Sequence, residues 1–356
     1  MTSITCADPA VIVPNPVLIQ LTRGSDVESS HRGALCVADA SGEIVVSLGN
    51  VDAPIYPRSA IKVLQALPLV ETGAAEKAGF ADAELALACA SHNGEGIHVD
   101  TARVMLSKCG LTPDALACGS HWPLDAAAAR ALASGGGSPC TLHNNCSGKH
   151  AGMLALAVHL GVDVDGYEHP DHPVQQCIRR VIEEMTGEAL SPRACAIDGC
   201  SVPTWAIPLR PLAAAFARLT SSSGLSSERA AAAKRLLHAC TSEPFMVEGT
   251  GRFGTGVMQK LGAAAFVKGG AEGVYCAAFP EHGLGLALKI GDGARRGAEA
   301  VAATIIARLF SDRIESAGDL YDMTLTNWRG RAIGEILPSR ELADAVERLN
   351  PERSGD

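Results

Sequence analysis

The stretch Gly33-Ala-Leu-Cys-Val-Ala-Asp39 runs into Ala40-Ser41-Gly42 and returns through Glu43-Ile-Val-Val-Ser-Leu48. Two short runs rich in apolar and β-branched residues, joined by a tight small-residue connection, predict a β-hairpin. Val17 to Arg23 alternates in part and predicts a strand ahead of it. A second hairpin is predicted toward the other end of the chain. There Gly273-Val-Tyr-Cys-Ala-Ala-Phe279 and Leu284-Gly-Leu-Ala-Leu-Lys-Ile290 flank Pro280-Glu-His-Gly283. Residues 294–310 are alanine-rich, without Pro or Gly after Gly297, and predict a helix behind that hairpin.

Between these β-rich ends the pattern is helical, with helices expected at 59–72, 96–109, 124–133, 149–160, 174–185, 212–219 and 227–240. Pro- and Gly-bearing loops such as Gly135-Gly-Gly-Ser-Pro139 separate them. No solenoid repeat and no long low-complexity tract appears. The expected fold is α/β: an antiparallel sheet from both chain ends with a large helical insertion. It is treated as one catalytic domain, 1–356, with a sheet lobe of 1–58 plus 266–330 and a mainly helical lobe of 59–265. Two lobes meeting at a crevice commonly make a site.

Composition excludes several classes. With 47% hydrophobic and 19% charged residues over 356 positions, the chain can bury a large core, which argues against disorder. A net charge of −9 without any Lys/Arg run argues against a nucleic-acid partner. The opening MTSITCADPAVIVPNP lacks a basic start followed by an apolar core, so no secretory signal is expected. The longest apolar stretch, 153–162, is broken by His159 and too short for a bilayer. The expected setting is cytoplasmic, with the 12 cysteines mostly reduced and buried. Of 30 basic residues only 8 are lysines, and a lysine retained in such a chain is suspect of needing to lose its proton, which Arg cannot do.

In Arg58-Ser59-Ala60-Ile61-Lys62, helical spacing sets Lys62 on the face of Ser59. A neutral Lys62 there could take the hydroxyl proton and make Ser59 a nucleophile, with the helix N-terminus serving an oxyanion. Ser59 could equally be a plain helix cap beside a solvated Lys62. Ala88-Cys89-Ala90-Ser91-His92-Asn93 then places a Ser two before an Asn, and Lys268-Gly269-Gly270 lies just ahead of the second hairpin. Serine β-lactamases and penicillin-binding proteins carry Ser-x-x-Lys, Ser-x-Asn and Lys-Thr-Gly in this order. Here Gly269 stands where the Thr would.

A third cluster, Leu142-His-Asn-Asn-Cys-Ser-Gly-Lys-His150, predicts a site loop entering a helix, and Ile197-Asp-Gly-Cys200 a polar turn. The spacing of Cys146 and Cys200 fits no zinc finger or ribbon. For a zwitterionic substrate, Arg58 and Asp198 are candidate partners of the carboxylate and the ammonium, with His150 as a polar wall. Asp198 could instead only cap its own turn, and Arg58 only form a structural pair. His92 and His121 are taken as loop histidines rather than catalysts.

Together, Arg58-Ser-Ala-Ile-Lys62, Ala90-Ser-His92, Asn145-Cys-Ser-Gly-Lys-His150, Asp198-Gly-Cys200 and Lys268-Gly-Gly-Ala-Glu-Gly273 resemble the asparaginase II family, rhizobial type (class 3). The resemblance runs from Val27-Glu-Ser-Ser-His-Arg-Gly33 to Lys289-Ile-Gly-Asp-Gly293. It implies a serine β-lactamase- or glutaminase-like fold and hydrolysis of L-asparagine to L-aspartate and ammonia. It also implies two pairs, Ser59 with Lys62 and Ser91 with Lys268, and a zinc ion held by Cys146, Lys149 and Cys200. A homodimer is implied as well. Pro57, Val63 and Asn93-Gly94 depart from the family pattern without removing a catalytic group. The rivals are a glutaminase or cyclic-amide hydrolase with the same chemistry, and a non-catalytic zinc protein in which the Ser–Lys pairs are incidental.

Overall fold

The computed structural model describes residues 14–221 and 223–349, so the first 13 residues of the expected sheet lobe lie outside it. Ten strands form: β1 Val17–Arg23, β2 Asp26–Asp39, β3 Ile44–Leu48, β4 Cys195–Ile197, β5 Pro203–Trp205, β6 Phe266–Gly269, β7 Val274–Phe279, β8 Leu284–Ile290, β9 Thr324–Thr326 and β10 Ala332–Pro338. Strands β4 and β5 make a small separate hairpin. The rest form one sheet in the order β6-β7-β8-β2-β1-β10-β9, with β3 also on β2. Every pairing is antiparallel.

The long strand β2 explains how two distant hairpins become one sheet. Its first half pairs with β1, with His31 facing Ile19. Its second half lies between β3 and β8, with Cys36 opposite Ser47 on one side and Ala287 on the other. Ala34, Leu35, Cys36, Val37 and Ala38 are all buried, so this half runs apolar without alternation, as a strand covered on both faces does. The two hairpins expected from sequence are therefore present and meet along β2–β8. Strand β10, which pairs with β1, carries the sheet on to Pro338.

The seven expected helices form as Lys62–Glu71, Gly96–Lys108, Ala126–Ser134, Ser147–Leu160, Pro173–Thr186, Leu209–Arg218 and Ser227–Ser242, and Arg295–Leu309 follows β8. Unexpected ones, among them Asp82–Ala88, Phe253–Leu261 and Arg340–Glu347, are under ten residues, too short for a clear period. The helix Lys62–Glu71 is buried from Lys62 to Leu69 and packs against Ser147–Leu160, Pro173–Thr186 and Ser227–Ser242. It is the central rod of the helical part. The helix Leu209–Arg218 packs on β2, β7 and β8, and Arg295–Leu309 on β1, β7, β8 and β10.

All cysteines among the described residues are free thiols, most of them buried. No helix among the described residues is long and apolar enough to cross a membrane.

Phe216, fully buried on the helix Leu209–Arg218, stacks on Phe266 of β6 with ring centroids 6.4 Å apart. Phe216→Ala removes that contact and leaves a cavity between helix and sheet. The expected loss is about 3–5 kcal/mol, read as a lower urea midpoint; a change within error would show that this contact does not tie helix to strand.

Candidate active site

Ser59 does not open an α-helix. It sits in a 3-10 turn, Arg58–Ile61, and the α-helix begins at Lys62. A 3-10 turn has three residues per turn, so Ser59 and Lys62 still share a side. Ala60 N–H closes the turn on the Pro57 carbonyl at 3.1 Å. Arg58 is held at φ +51°, a left-handed conformation that a non-glycine residue adopts only under strain.

Ser59 and Ser91 line one cavity of about 100 Å³, together with Asn145, Gly269 and Gly270. Four distant segments thus meet at one place. Gly270 permits the closest of these approaches: a Cβ there would stand 2.8 Å from the Pro57 carbonyl oxygen and 3.1 Å from the Ala60 nitrogen. The Lys-Gly-Gly sequence therefore lets strand β6 end directly against the turn that carries Ser59.

The lysines choose partners across the site rather than those of the family pattern. The Lys62 ammonium donates to the Ala90 carbonyl, to Ser91 Oγ at 3.0 Å and to Cys146 Sγ at 3.1 Å. Lys268 Nζ donates to the Gly269 carbonyl at 2.9 Å and lies 3.5 Å from Glu248 Oε1. No hydrogen bond joins Ser59 to Lys62 or Ser91 to Lys268 among the described residues. Burial pushes Lys268 down to about 8, against the Glu248 carboxylate, which favours the cation. Lys62 and Lys268 are both fully buried, and the Lys62 charge also lowers Lys268.

The loop Asn144–Cys146 and the helix Ser147–Leu160 supply the next layer. Gly148 permits the helix to press on Leu87, whose carbonyl oxygen would lie 2.4 Å from an added Cβ. His92 Nε2 bonds Ser147 Oγ at 2.9 Å, and His121 Nε2 accepts from the Asn145 N–H. Burial holds His92 well below its usual range, so it is a neutral structural partner. His92 and His121 thus position loops, as expected.

Cys146, Lys149 and Cys200 are brought together and buried. Lys149 Nζ donates to Cys200 Sγ at 3.0 Å. A hydrogen bond from Cys146, with help from Lys149 and against burial, pulls the Cys200 thiol far down, while that same bond and burial hold Cys146 up. Burial opposes the Lys149 charge, but the two sulfurs outweigh it and raise Lys149. The expected zinc would thus meet one thiolate, one thiol and a charged amine, the last two of which must release protons to bind. Two sulfurs and a nitrogen drawn together are a donor set that suits zinc. His150 is buried beside them, and its hydrogen bond to Cys200 adds to the forces that hold that thiol down. No group of three or more His, Cys, Asp or Glu among the described residues could hold a metal ion, so the protein donors of the expected site are the two sulfurs with Lys149.

The three expected substrate contacts do not line the cavity. Arg58 Nε donates to Asp198 Oδ1 at 2.6 Å, so these two satisfy each other. His150 Nδ1 contacts the Tyr167 hydroxyl at 2.5 Å, and burial keeps its imidazole neutral. Ser201, at φ +76°, and Glu272, at φ +59°, are the other non-glycine residues with left-handed backbone among those described. Ser201 follows Cys200 directly, and Glu272 lies in the connection that leaves β6 after Lys268.

Sequence inspection missed the acid beside Lys268. Glu248 is 2% exposed and accepts from the Gly254 N–H at 3.1 Å and the Gly269 N–H at 3.4 Å. Arg252, Tyr275, Arg295 and Glu299 also line the cavity. The available signal was Glu248-Gly-Thr-Gly-Arg252, a glycine-rich turn bracketed by opposite charges. Nothing local marks Tyr275, Arg295 or Glu299.

Against known proteins, residues 19–338 match the family model described as L-asparaginase II. No curated protein matches the chain. Among solved structures, a β-lactamase from Mycobacterium bovis is similar over 75% of this chain and 89% of its own, at 13% identity and a TM-score of 0.37. That likeness is too low to carry weight; the architecture rests on the strand order itself.

Glu248→Gln removes the charge that favours the Lys268 ammonium, so the proton leaves more readily and the midpoint falls below about 8. A titration of the lysine Nζ resonances by NMR reads this, and an unmoved midpoint would exclude coupling between the two groups.

Proposed function

The chain belongs to the L-asparaginase II family, and on that premise we propose that it hydrolyses L-asparagine to L-aspartate and ammonia through an ester on Ser59. The observation that carries this proposal is the cavity shared by Ser59 and Ser91, with Lys62 on Ser91 and the readily deprotonated Lys268 beside them. In the proposed mechanism Ser59 Oγ attacks the side-chain amide carbon. Its proton passes through Ser91, Lys62 and Lys268 to the amide nitrogen, the C–N bond breaks and ammonia leaves. Water then cleaves the aspartyl ester, returning the proton to Ser59. Lys268 can serve as a base in this scheme, because burial already brings it near the working range.

Arg58 and Asp198 are proposed to take the amino-acid head group. A zwitterion entering between them exchanges one ion pair for two, carboxylate on Arg58 and ammonium on Asp198, with no charge left unpaired. His150 would wall that side. Cys146, Lys149 and Cys200 are proposed to hold zinc, which would supply a Lewis acid for orienting the substrate. The same proposal covers the class 3 subtype, a single catalytic domain, a homodimer and a cytoplasmic setting.

Ammonia release from L-asparagine and, separately, L-glutamine tests the proposal. Release from asparagine is expected, with Ser59→Ala folded but slower by about 10³-fold or more. Glutamine turnover alone would make it a glutaminase, since one methylene is worth only about 1–3 kcal/mol of discrimination. A non-catalytic zinc protein would release no ammonia and would unfold on chelation.

The proton transfers require neutral Lys268. Its midpoint near 8 means that the neutral fraction, and with it kcat/KM, should climb as pH rises through about 8. A rate that peaks near pH 5 and falls by pH 8 would remove lysine as the base.

A further inference from the structure

The cavity of Ser59 carries a group of side chains that the hydrolysis just described does not use. Arg252, Tyr275 and Arg295 all line it. Tyr275 is 2% exposed, yet its hydroxyl has no hydrogen-bond partner. Arg252 Nε is likewise buried without one. Neither arginine has a salt bridge among the described residues. The buried Tyr275 hydroxyl and Arg252 Nε ask for a partner, because desolvated donors left unpaired cost free energy, whereas Arg295, which also lines the cavity, is exposed.

Their chemistry says what kind. Guanidinium groups only donate, and an unpartnered phenol can donate as well. Arg295 also begins the helix Arg295–Leu309, whose N-terminal end favours an anion. The acids nearby do not cancel this. Glu248 is engaged by Lys268, Gly254 and Gly269. Burial pushes Glu299 up to about 7, so near neutrality much of it carries a proton.

We propose that Arg252, Tyr275 and Arg295 form a carboxylate-binding subsite in the cavity that holds Ser59. The source of the carboxylate, though not the subsite, rests on the asparaginase assignment. It is either the α-carboxylate of asparagine, in which case Arg58 keeps its pair with Asp198 and does not take the carboxylate as proposed above, or that of an amino acid joined through its nitrogen to the side-chain carbonyl, a β-aspartyl amino acid. For the second, the cavity offers about 100 Å³ beyond the two serines, several times the roughly 10–15 Å³ that one water needs. In that case Ser59 Oγ attacks the same carbonyl carbon and the C–N bond breaks. The departing nitrogen takes the proton and leaves as a free amino acid, and water hydrolyses the ester.

The full-length chain is compared with Tyr275→Phe and Arg295→Gln. Tyr275→Phe breaks no internal hydrogen bond, so a merely structural tyrosine predicts no change. Succinate binding, followed by calorimetry, is expected to weaken about tenfold in each variant. KM for L-asparagine or β-aspartylglycine should rise by a similar factor with kcat little changed. A rise for asparagine assigns its α-carboxylate to the subsite; a rise for β-aspartylglycine alone assigns the departing amino acid. Wild-type protein that binds no succinate at millimolar concentration, or variants that bind it as wild type does, would overturn the subsite. Wild type that binds succinate, loses it in the variants and hydrolyses neither amide would leave the subsite standing and remove the asparaginase assignment instead.

Discussion

An ammonium ion taken out of water costs several kcal/mol unless its surroundings replace the lost hydration. This chain buries three, Lys62, Lys149 and Lys268, in one connected region. Each is met differently. Lys62 donates to a carbonyl, a hydroxyl and a thiol, Lys149 to a thiol with thiolate character, and Lys268 to a carbonyl near the buried Glu248. Much of the local structure serves to supply those partners. The turn before the helix Lys62–Glu71, the Cys146 loop, the Asp198–Cys200 turn and the end of β6 converge because the lysines they surround cannot be left alone.

The compensation is unequal, and the inequality gives the site its chemistry. Lys149 is raised because two sulfurs outweigh its burial, so it is a poor base and a good charge partner. Lys268 is lowered because a single carboxylate does not outweigh its burial and the nearby Lys62 charge. One residue type therefore takes two roles a short distance apart, set by environment alone. A chain with far more arginine than lysine buries three of its lysines here, and of the two residue types only lysine can lose its proton.

The charged pairs around the cavity divide in a similar way. Arg58 and Asp198 satisfy each other, so anything entering there must break a pair before making its own. Arg252 and Arg295 have no such partner and face a cavity with open volume. The glycines at 148 and 270 are a geometric counterpart of this electrostatics. They let the segments approach closely enough that small side chains such as Ser59 and Ser91 line one cavity.

The hairpins at 33–48 and 273–290, the longer helices of the insertion and the segments bearing Ser59, Ser91, Cys146, Cys200 and Lys268 were legible in the sequence, whereas its short helices such as Asp82–Ala88 and Phe253–Leu261 were not. Turn residues, apolar period and short motifs are local properties, carried by neighbours along the chain. Strand β10 was not legible, since it is half exposed, contains Gly334 and is made a strand by pairing with β1. Nor were the partners of the buried lysines. Lys62 meets Ser91 across 29 residues and Lys268 meets Glu248 across 20, although helical spacing suggested Ser59 for Lys62 and the family resemblance implied Ser91 for Lys268. Which segments bear the candidate serines, lysines and cysteines was thus set by local sequence. Who holds whom was decided only in the folded chain, because an ammonium pairs with whatever oxygen or sulfur the packing of remote segments sets within reach.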